Sequence, residues 1–159
     1  LAYQDGKLTD LDKDFIKFIM SDEGQKTVDK EGYISLDSEG KYEASGLKGK
    51  ITLAGSTSVA PLMDVLKDEY IKLNPDVTIE IQESGSSAGI QSAIEGATEI
   101  GMSSRELKDD EASKLTSKQI AMDGIAVIVN KANTITNLTS DQIKSVYTGD
   151  VTTWDDLNK

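Results

Sequence analysis

After Lys50 the chain alternates short β-branched runs with stretches at helical spacing, and this alternation restricts the fold more than any other feature. Ile51–Ala54 reads as a strand. The next stretch reads as a helix with Pro61 near its start, where no backbone donor is needed, and with Leu62, Val65, Leu66 and Leu73 on one face. Asn74-Pro75 stops it. Val77–Gln82 alternates as a strand. Ser86–Ala97 reads as a helix with Ile90, Ala93, Ile94 and Ala97 inward, and Ile100–Ser103 as a third strand. Asp109–Leu115 is a polar helix, and Gln119–Asn130 holds the β-branched run IAVIVN. Thr139 and Gln142 have capping-box spacing before a helix through Tyr147 that Gly149 closes. Repeated strand–helix alternation implies an α/β fold with a parallel sheet covered by helices.

The residues before Lys50 have a different character. Leu11, Phe15, Phe18 and Ile19 recur at i, i+4, i+7 and i+8, so residues 10–20 form an amphipathic helix, and both Phe residues of the chain are core anchors. Ser21 caps a second helix through Lys30, Gly32 ends it, and Tyr33–Leu36 is extended. Residues 37–50, DSEGKYEASGLKGK, carry three Gly, two Ser and mixed charges, and read as a linker.

Composition removes whole classes of chemistry. With no Cys and no His there is no thiolate nucleophile, no zinc-finger-type site and no Ser-His-Asp arrangement. A formal net charge of −11 argues against nucleic acid and against anionic lipid surfaces. No apolar run reaches the roughly 18 residues of a spanning helix, so direct membrane insertion is not expected. The chain starts at Leu1 rather than Met, as expected of a processed protein or an excised fragment. At 159 residues it is expected to be one domain.

Three strand-to-helix junctions share one composition: Gly55-Ser56-Thr57-Ser58, Ser84-Gly85-Ser86-Ser87, and Gly101-Met102-Ser103-Ser104-Arg105. In an open parallel sheet such junctions lie at the carboxyl ends of the strands, where ligands bind. Helix N-termini there offer free N–H groups and a positive dipole end, and Ser or Thr hydroxyls add donors. Each loop alone is an ordinary capped turn. Three hydroxyl-rich loops at successive strand ends point to an oxyanion site, although none is a P-loop. Arg105 is the only Arg among 17 basic residues. Its fork suits bidentate contact with an oxyanion, or else an ion pair with the adjacent Glu106. Asp123-Gly124 reads as a tight turn, or as a carboxylate aimed at the site. Trp154 reads as a packed aromatic.

The segments ITLAGSTSVAPLMDVLKDEYIKLNP, VTIEIQESGSSAGIQSAIEG, EIGMSSRELK, IAMDGIAVIVN and SVYTGDVTTWDDL resemble, in this order, the phosphate-binding proteins of ABC-type phosphate importers. The resemblance covers residues 50–159. FIKFIMSDEGQKTVDKEGYISL resembles the extreme C-terminus of that family, here placed ahead of the N-terminal motifs. The family's second lobe has no counterpart in the chain. A parent with two tandem copies would explain the order, with an engineered permutation as the alternative.

The resemblance implies a three-layer, periplasmic-binding-protein-like (type II) lobe in permuted order. Residues 1–36 would pack on it, 37–50 would link, and 51–159 would be the first lobe, all one compact domain. It implies a non-enzymatic receptor without cofactor or metal that passes inorganic phosphate to a membrane permease. Its place would be the outer side of the cytoplasmic membrane, as a surface lipoprotein or a periplasmic protein. The GST-type loop would put Thr57 and Ser58 on phosphate oxygens, and the GSS loop Ser86. Ser104 stands where other members carry an Asp that accepts the phosphate proton. That leaves Glu106 and Asp123 as candidate acceptors, and sulfate binding or a non-binding scaffold as alternative roles. A hydrolase would need an activated nucleophile and a base beside these Ser loops, and no Lys is adjacent to them.

Overall fold

The computed structural model describes residues 1–158, of Asn158 the backbone alone. The chain divides into two units, Leu1–Gly124 and Ile125–Lys159. In chain order the first unit contains β1 (Ala2–Tyr3), α1 (Asp10–Ile19), α2 (Asp22–Lys30), β2 (Gly49–Gly55), α3 (Ala60–Leu73), β3 (Val77–Glu83), α4 (Ser86–Glu95), β4 (Ile100–Met102), α5 (Asp109–Ala112) and β5 (Thr116–Ser117).

The sheet order is β3-β2-β4-β1-β5. Strand β2 pairs in parallel with both β3 and β4, while β1 is antiparallel to β4 and to β5. Only β1 therefore runs against the rest, and the sheet is mostly parallel. Side chains alternate between its faces. Ile51, Leu53, Ile79, Ile100 and Met102 face α1, α2 and α3 in one apolar cluster. Ala2 packs with Ile90, Ala93 and Leu115 on the α4 side. Helices on both faces of one sheet make the three-layer α/β architecture.

The N-terminal helices complete the larger cluster. Phe15 and Phe18 are buried, with ring centroids 5.0 and 5.4 Å from that of Tyr70 on α3. Burying each such side chain stabilises by roughly 1.5–3 kcal/mol. Thr9 caps α1 with a reciprocal Asp12 contact, and Ser21 caps α2. Residues 37–48 form no helix or strand, yet they are not a loose tether. Tyr42 is buried, and its hydroxyl donates to Asp14 Oδ2 at 2.6 Å and accepts from Asn74 Nδ2 at 2.9 Å. Gly49 and Lys50 already belong to β2.

Several details depart from the sequence pattern. Leu73 is 45% exposed, and Tyr70 fills the inward position of the last turn of α3. Helix α4 stops at Glu95, because Gly96 turns left-handed (φ 71°), and this leaves Ala97 outside the helix and exposed. Strands β1 and β5, two residues each, are too short for any periodicity to reveal.

The second unit contains α6 (Ser140–Thr148), with the Thr139–Gln142 capping box and Gly149 in the left-handed conformation, and a 3-10 turn at Trp154–Asn158. Gln142 Nε2 donates to Leu157 O at 2.8 Å. The run at 125–130 is not a strand. Ile125 is 96% and Ile128 89% exposed, and no strand among the described residues pairs with them. A strand needs a neighbour to receive its backbone groups, so β-branching alone does not make one. Trp154, read as a packed aromatic, is 45% exposed. Where one compact body was expected over 1–159, the chain divides into two units between Gly124 and Ile125.

Candidate functional site

The three hydroxyl-rich loops are laced together by backbone at the ends of β2, β3 and β4. Ser56 N–H donates to Met102 O at 3.0 Å. Gly55 O accepts from Ser84 N–H at 2.9 Å and Gly85 N–H at 2.8 Å. Gly55 has φ +146°, and a Cβ there would lie 2.1 Å from Met102 O, so a side chain would push β2 and β4 apart. Gly89 does the same for α4, since its Cβ would lie 2.3 Å from Ala54 O and from Gly55 Cα. Small residues thus seat the first turns of α4 directly on the end of β2.

That seating brings the second and third loops into contact. Ser104 N–H donates to Ser86 Oγ at 3.2 Å, and the Ser86 and Ser104 hydroxyls are 3.2 Å apart. Ser58, Ser104 and Arg105 line one cleft of about 600 Å³, which Glu106 and Asp123 also line. Ser86 adjoins this cleft through Ser104. Thr57 is exposed and is not among the residues lining it. The first turn of α4 has N–H groups without an intrahelical acceptor, the first to find one being Gly89 N–H on Gly85 O at 3.0 Å. At the start of α3 the donors are largely spent, since Val59 and Ala60 N–H turn back to Ser56 O, Met63 N–H bonds Val59 O, and Pro61 has no N–H.

Arg105 does not present an open fork. Its Nη1 and Nη2 donate to Glu111 Oε2 and Oε1, each at 2.8 Å. Nη1 also reaches Glu106 O at 2.8 Å, and Nη2 lies 3.4 Å from Ser87 Oγ on α4. The ion pair anticipated with Glu106 is made with Glu111, and Glu106 contributes only its carbonyl. Adjacent side chains diverge, whereas α5 folds back and offers a carboxylate six positions on. Glu111 Oε2 also accepts Lys108 N–H at 2.8 Å. The guanidinium bonds and this N–H hold the Glu111 carboxyl down at about 2. Sequence reasoning missed Glu111. The available signal was its place three residues after Lys108 at the start of a helix, where a carboxylate reaches back to a free N–H.

The arrangement is one of donors. The Ser86 and Ser104 hydroxyls meet, the Arg105 charge is matched by Glu111, and Lys118, also on the cleft, is paired with Glu39 at 2.6 Å. No cluster of acidic side chains among the described residues is placed to hold a metal ion. Such a site can hold an oxyanion.

Comparison with known proteins agrees with the architecture. Residues 40–159 match the PBP superfamily domain. A phosphate-binding protein PstS 2 of Streptococcus agalactiae is 48% identical over 160 residues, which are 100% of this chain and 55% of that protein. The crystal structure of a phosphate ABC transporter phosphate-binding protein from Streptococcus pneumoniae is 42% identical with a TM-score of 0.89, over 98% of this chain and 61% of that one. A putative phosphate ABC transporter substrate-binding protein with bound phosphate from Clostridium perfringens is 47% identical with a TM-score of 0.54, over 69% of this chain and 46% of that one. The chain spans about half the length of the curated relatives it matches. On the match over residues 40–159 and this three-layer sheet, the chain belongs to the PBP superfamily.

Proposed function

We propose that this chain is one lobe of a phosphate receptor serving an ABC importer. The observation that carries the reading is the meeting of Ser86 and Ser104 at the start of α4, beside a cleft that Ser58 shares. In this reading the hydroxyls of Thr57, Ser58, Ser86 and Ser104, with first-turn N–H groups of α4, receive the phosphate oxygens. Arg105 braces rather than grips, because Glu111 occupies its fork. The relatives' names and the phosphate bound in the Clostridium perfringens protein support the choice of anion. The partner is then a membrane permease. The place is the outer side of the cytoplasmic membrane, as a surface lipoprotein or a periplasmic receptor without enzymatic activity. No helix among the described residues is long and apolar enough to cross a membrane.

The chain order belongs to the same reading. One match runs through all of this chain, and 160 residues that are 55% of the Streptococcus agalactiae relative make it about 290 residues long. About 130 residues remain outside the match. That suffices for one further lobe, whereas a tandem parent needs a second complete copy. A single receptor whose order is natively permuted accounts for the helices ahead of β2 with less chain.

One wall of a site exposes its anion to water. Roughly four hydrogen bonds, each worth about 0.5–1.5 kcal/mol net or up to about 3 when charge-assisted, face an association cost of at least about 4 kcal/mol. Isothermal titration of the 159-residue chain with phosphate is expected to give a constant no tighter than about millimolar, and the full receptor far tighter. No heat of binding from the full receptor with millimolar phosphate overturns the reading. Sulfate in competition tests selectivity. Displacement by sulfate at equal concentration argues against Glu106 and Asp123 as the proton acceptor.

A further inference from the structure

We propose that Glu111 is a positioning residue for anion binding, acting through Arg105 to hold Ser104 against Ser86. The inference rests on the phosphate reading and assigns a role that the hydroxyl loops alone do not reveal. The turn that carries Ser104 is short and exposed, and something must fix it. Within the turn, Ser103 Oγ donates to Arg105 O at 2.7 Å and accepts Arg105 N–H at 3.2 Å, closing a small ring. Outside it, the guanidinium is a strut with two ends. One end is the pair of 2.8 Å bonds to Glu111, whose side chain is 11% exposed. The other is the first turn of α4, reached at Ser87 Oγ, next to the Ser86 that bonds Ser104. Glu111 itself is anchored by Lys108 N–H and cannot swing with Arg105.

The charge arithmetic leads to the same role. Among the described residues four of the five guanidinium N–H groups have protein acceptors, and only Nε–H is open. A guanidinium held this way aligns loops, and its charge is cancelled by a carboxylate at hydrogen-bond distance. Arg105 then brings no net positive charge to a cleft that Glu106 and Asp123 also line. Glu111 sets both properties, the rigidity of the turn and the absence of net positive charge, without needing to touch the ligand.

The test uses the full-length receptor with inorganic phosphate as probe, and the variants E111Q, R105A and R105A/E111Q. A strut predicts that each single variant weakens phosphate binding about tenfold and that the double variant is no weaker than either, since both remove one interaction. It also predicts that E111Q binding becomes more salt-sensitive than wild type, because its guanidinium is unmatched, while R105A keeps the wild-type salt slope. Loss of fold alone would not separate the two slopes. E111Q binding phosphate as tightly as wild type or tighter, with R105A weakened, overturns the inference, because Arg105 then acts on the anion directly. A second readout needs no ligand. Hydrogen exchange at the Ser104 amide should quicken in E111Q while the amides of β2 keep their protection; an unchanged Ser104 rate overturns the strut. If wild type binds no phosphate, the functional reading fails, and the exchange result alone decides for or against the strut.

Discussion

Replacing Gly89 by Ala is the smallest change that should disturb both the fold and the site. In an exposed helix the substitution would stabilise by roughly 0.8–1.0 kcal/mol through helix propensity. Here the new Cβ would lie 2.3 Å from Ala54 O and from Gly55 Cα, and 2.8 Å from Ala54 C. Ordinary contact begins at 3.4 Å, so α4 must retreat by about 1 Å at this point. The obstacles are backbone atoms of β2, which cannot rotate aside as a side-chain end could. Overpacking of this kind costs about 1–3 kcal/mol and occasionally more, which outweighs the propensity gain.

Ser86 lies one turn before Gly89, so the same retreat carries it away from Ser104. Their 3.2 Å contact would open to about 4 Å, beyond hydrogen-bond range. The net loss, up to about 2 kcal/mol, corresponds to a fall in melting temperature of up to about 10 °C for a unit of this size. Thermal unfolding followed by circular dichroism reads the first effect, and phosphate titration of the full receptor the second. A G89A protein as stable as wild type, or more stable, refutes the reasoning. It would mean that α4 is not seated on β2 and that propensity decides.

Other expectations follow from single contacts. Tyr42→Phe removes a hydroxyl that serves Asp14 and Asn74, and Asn74 Oδ1 already lacks a partner, so urea denaturation should show a loss of about 1–3 kcal/mol. The Glu111 carboxyl is at about 2 when folded against its ordinary 4.5, so the unfolded chain takes up its proton first on acidification. Its contribution to stability is complete above about pH 5, declines below 4.5 and is gone near 2, so E111Q should flatten that part of the stability-versus-pH curve.

The elements legible in the sequence are those whose local signals agree with their neighbours. Helix α1 has a cap, a reciprocal carboxylate and an apolar face whose four members are all buried, so each level of reading repeats the last. The capping box before α6 and Gly149 after it marked that helix in the same way. The run IAVIVN shows the opposite case. Its β propensity is strong, but a strand is defined by the chain that pairs with it, and no described strand does so. Strands β1 and β5 fail for a related reason: two residues carry no period, and only the register Ala2↔Gly101 and Ala2↔Ser117 makes them strands.

The hydroxyl loops of the candidate site stand out in the sequence, whereas the carboxylate that the fold brings to Arg105 does not. Gly, Ser and Thr at three successive strand ends point to N–H and hydroxyl donors, although at any one helix start the same residue types serve as ordinary caps. Arg105 was visible as the single Arg, but its partner was not, since nearness in sequence favoured Glu106 while the fold delivered Glu111. The difference decides how an acidic protein can hold an anion. With a net charge of −11 the distant field repels phosphate, but screening confines that field to roughly 8 Å at physiological ionic strength. At contact distance the donors act beside the Glu106 and Asp123 carboxylates that also line the cleft. If Arg105 were free, its charge would dominate this short-range balance and would draw any anion. Paired with Glu111 it leaves the choice to the positions of the Ser86 and Ser104 hydroxyls and of the helix N–H groups. On the proposed phosphate reading, selectivity in this lobe is a matter of geometry, maintained by a carboxylate on α5 that the hydroxyl pattern gives no reason to suspect.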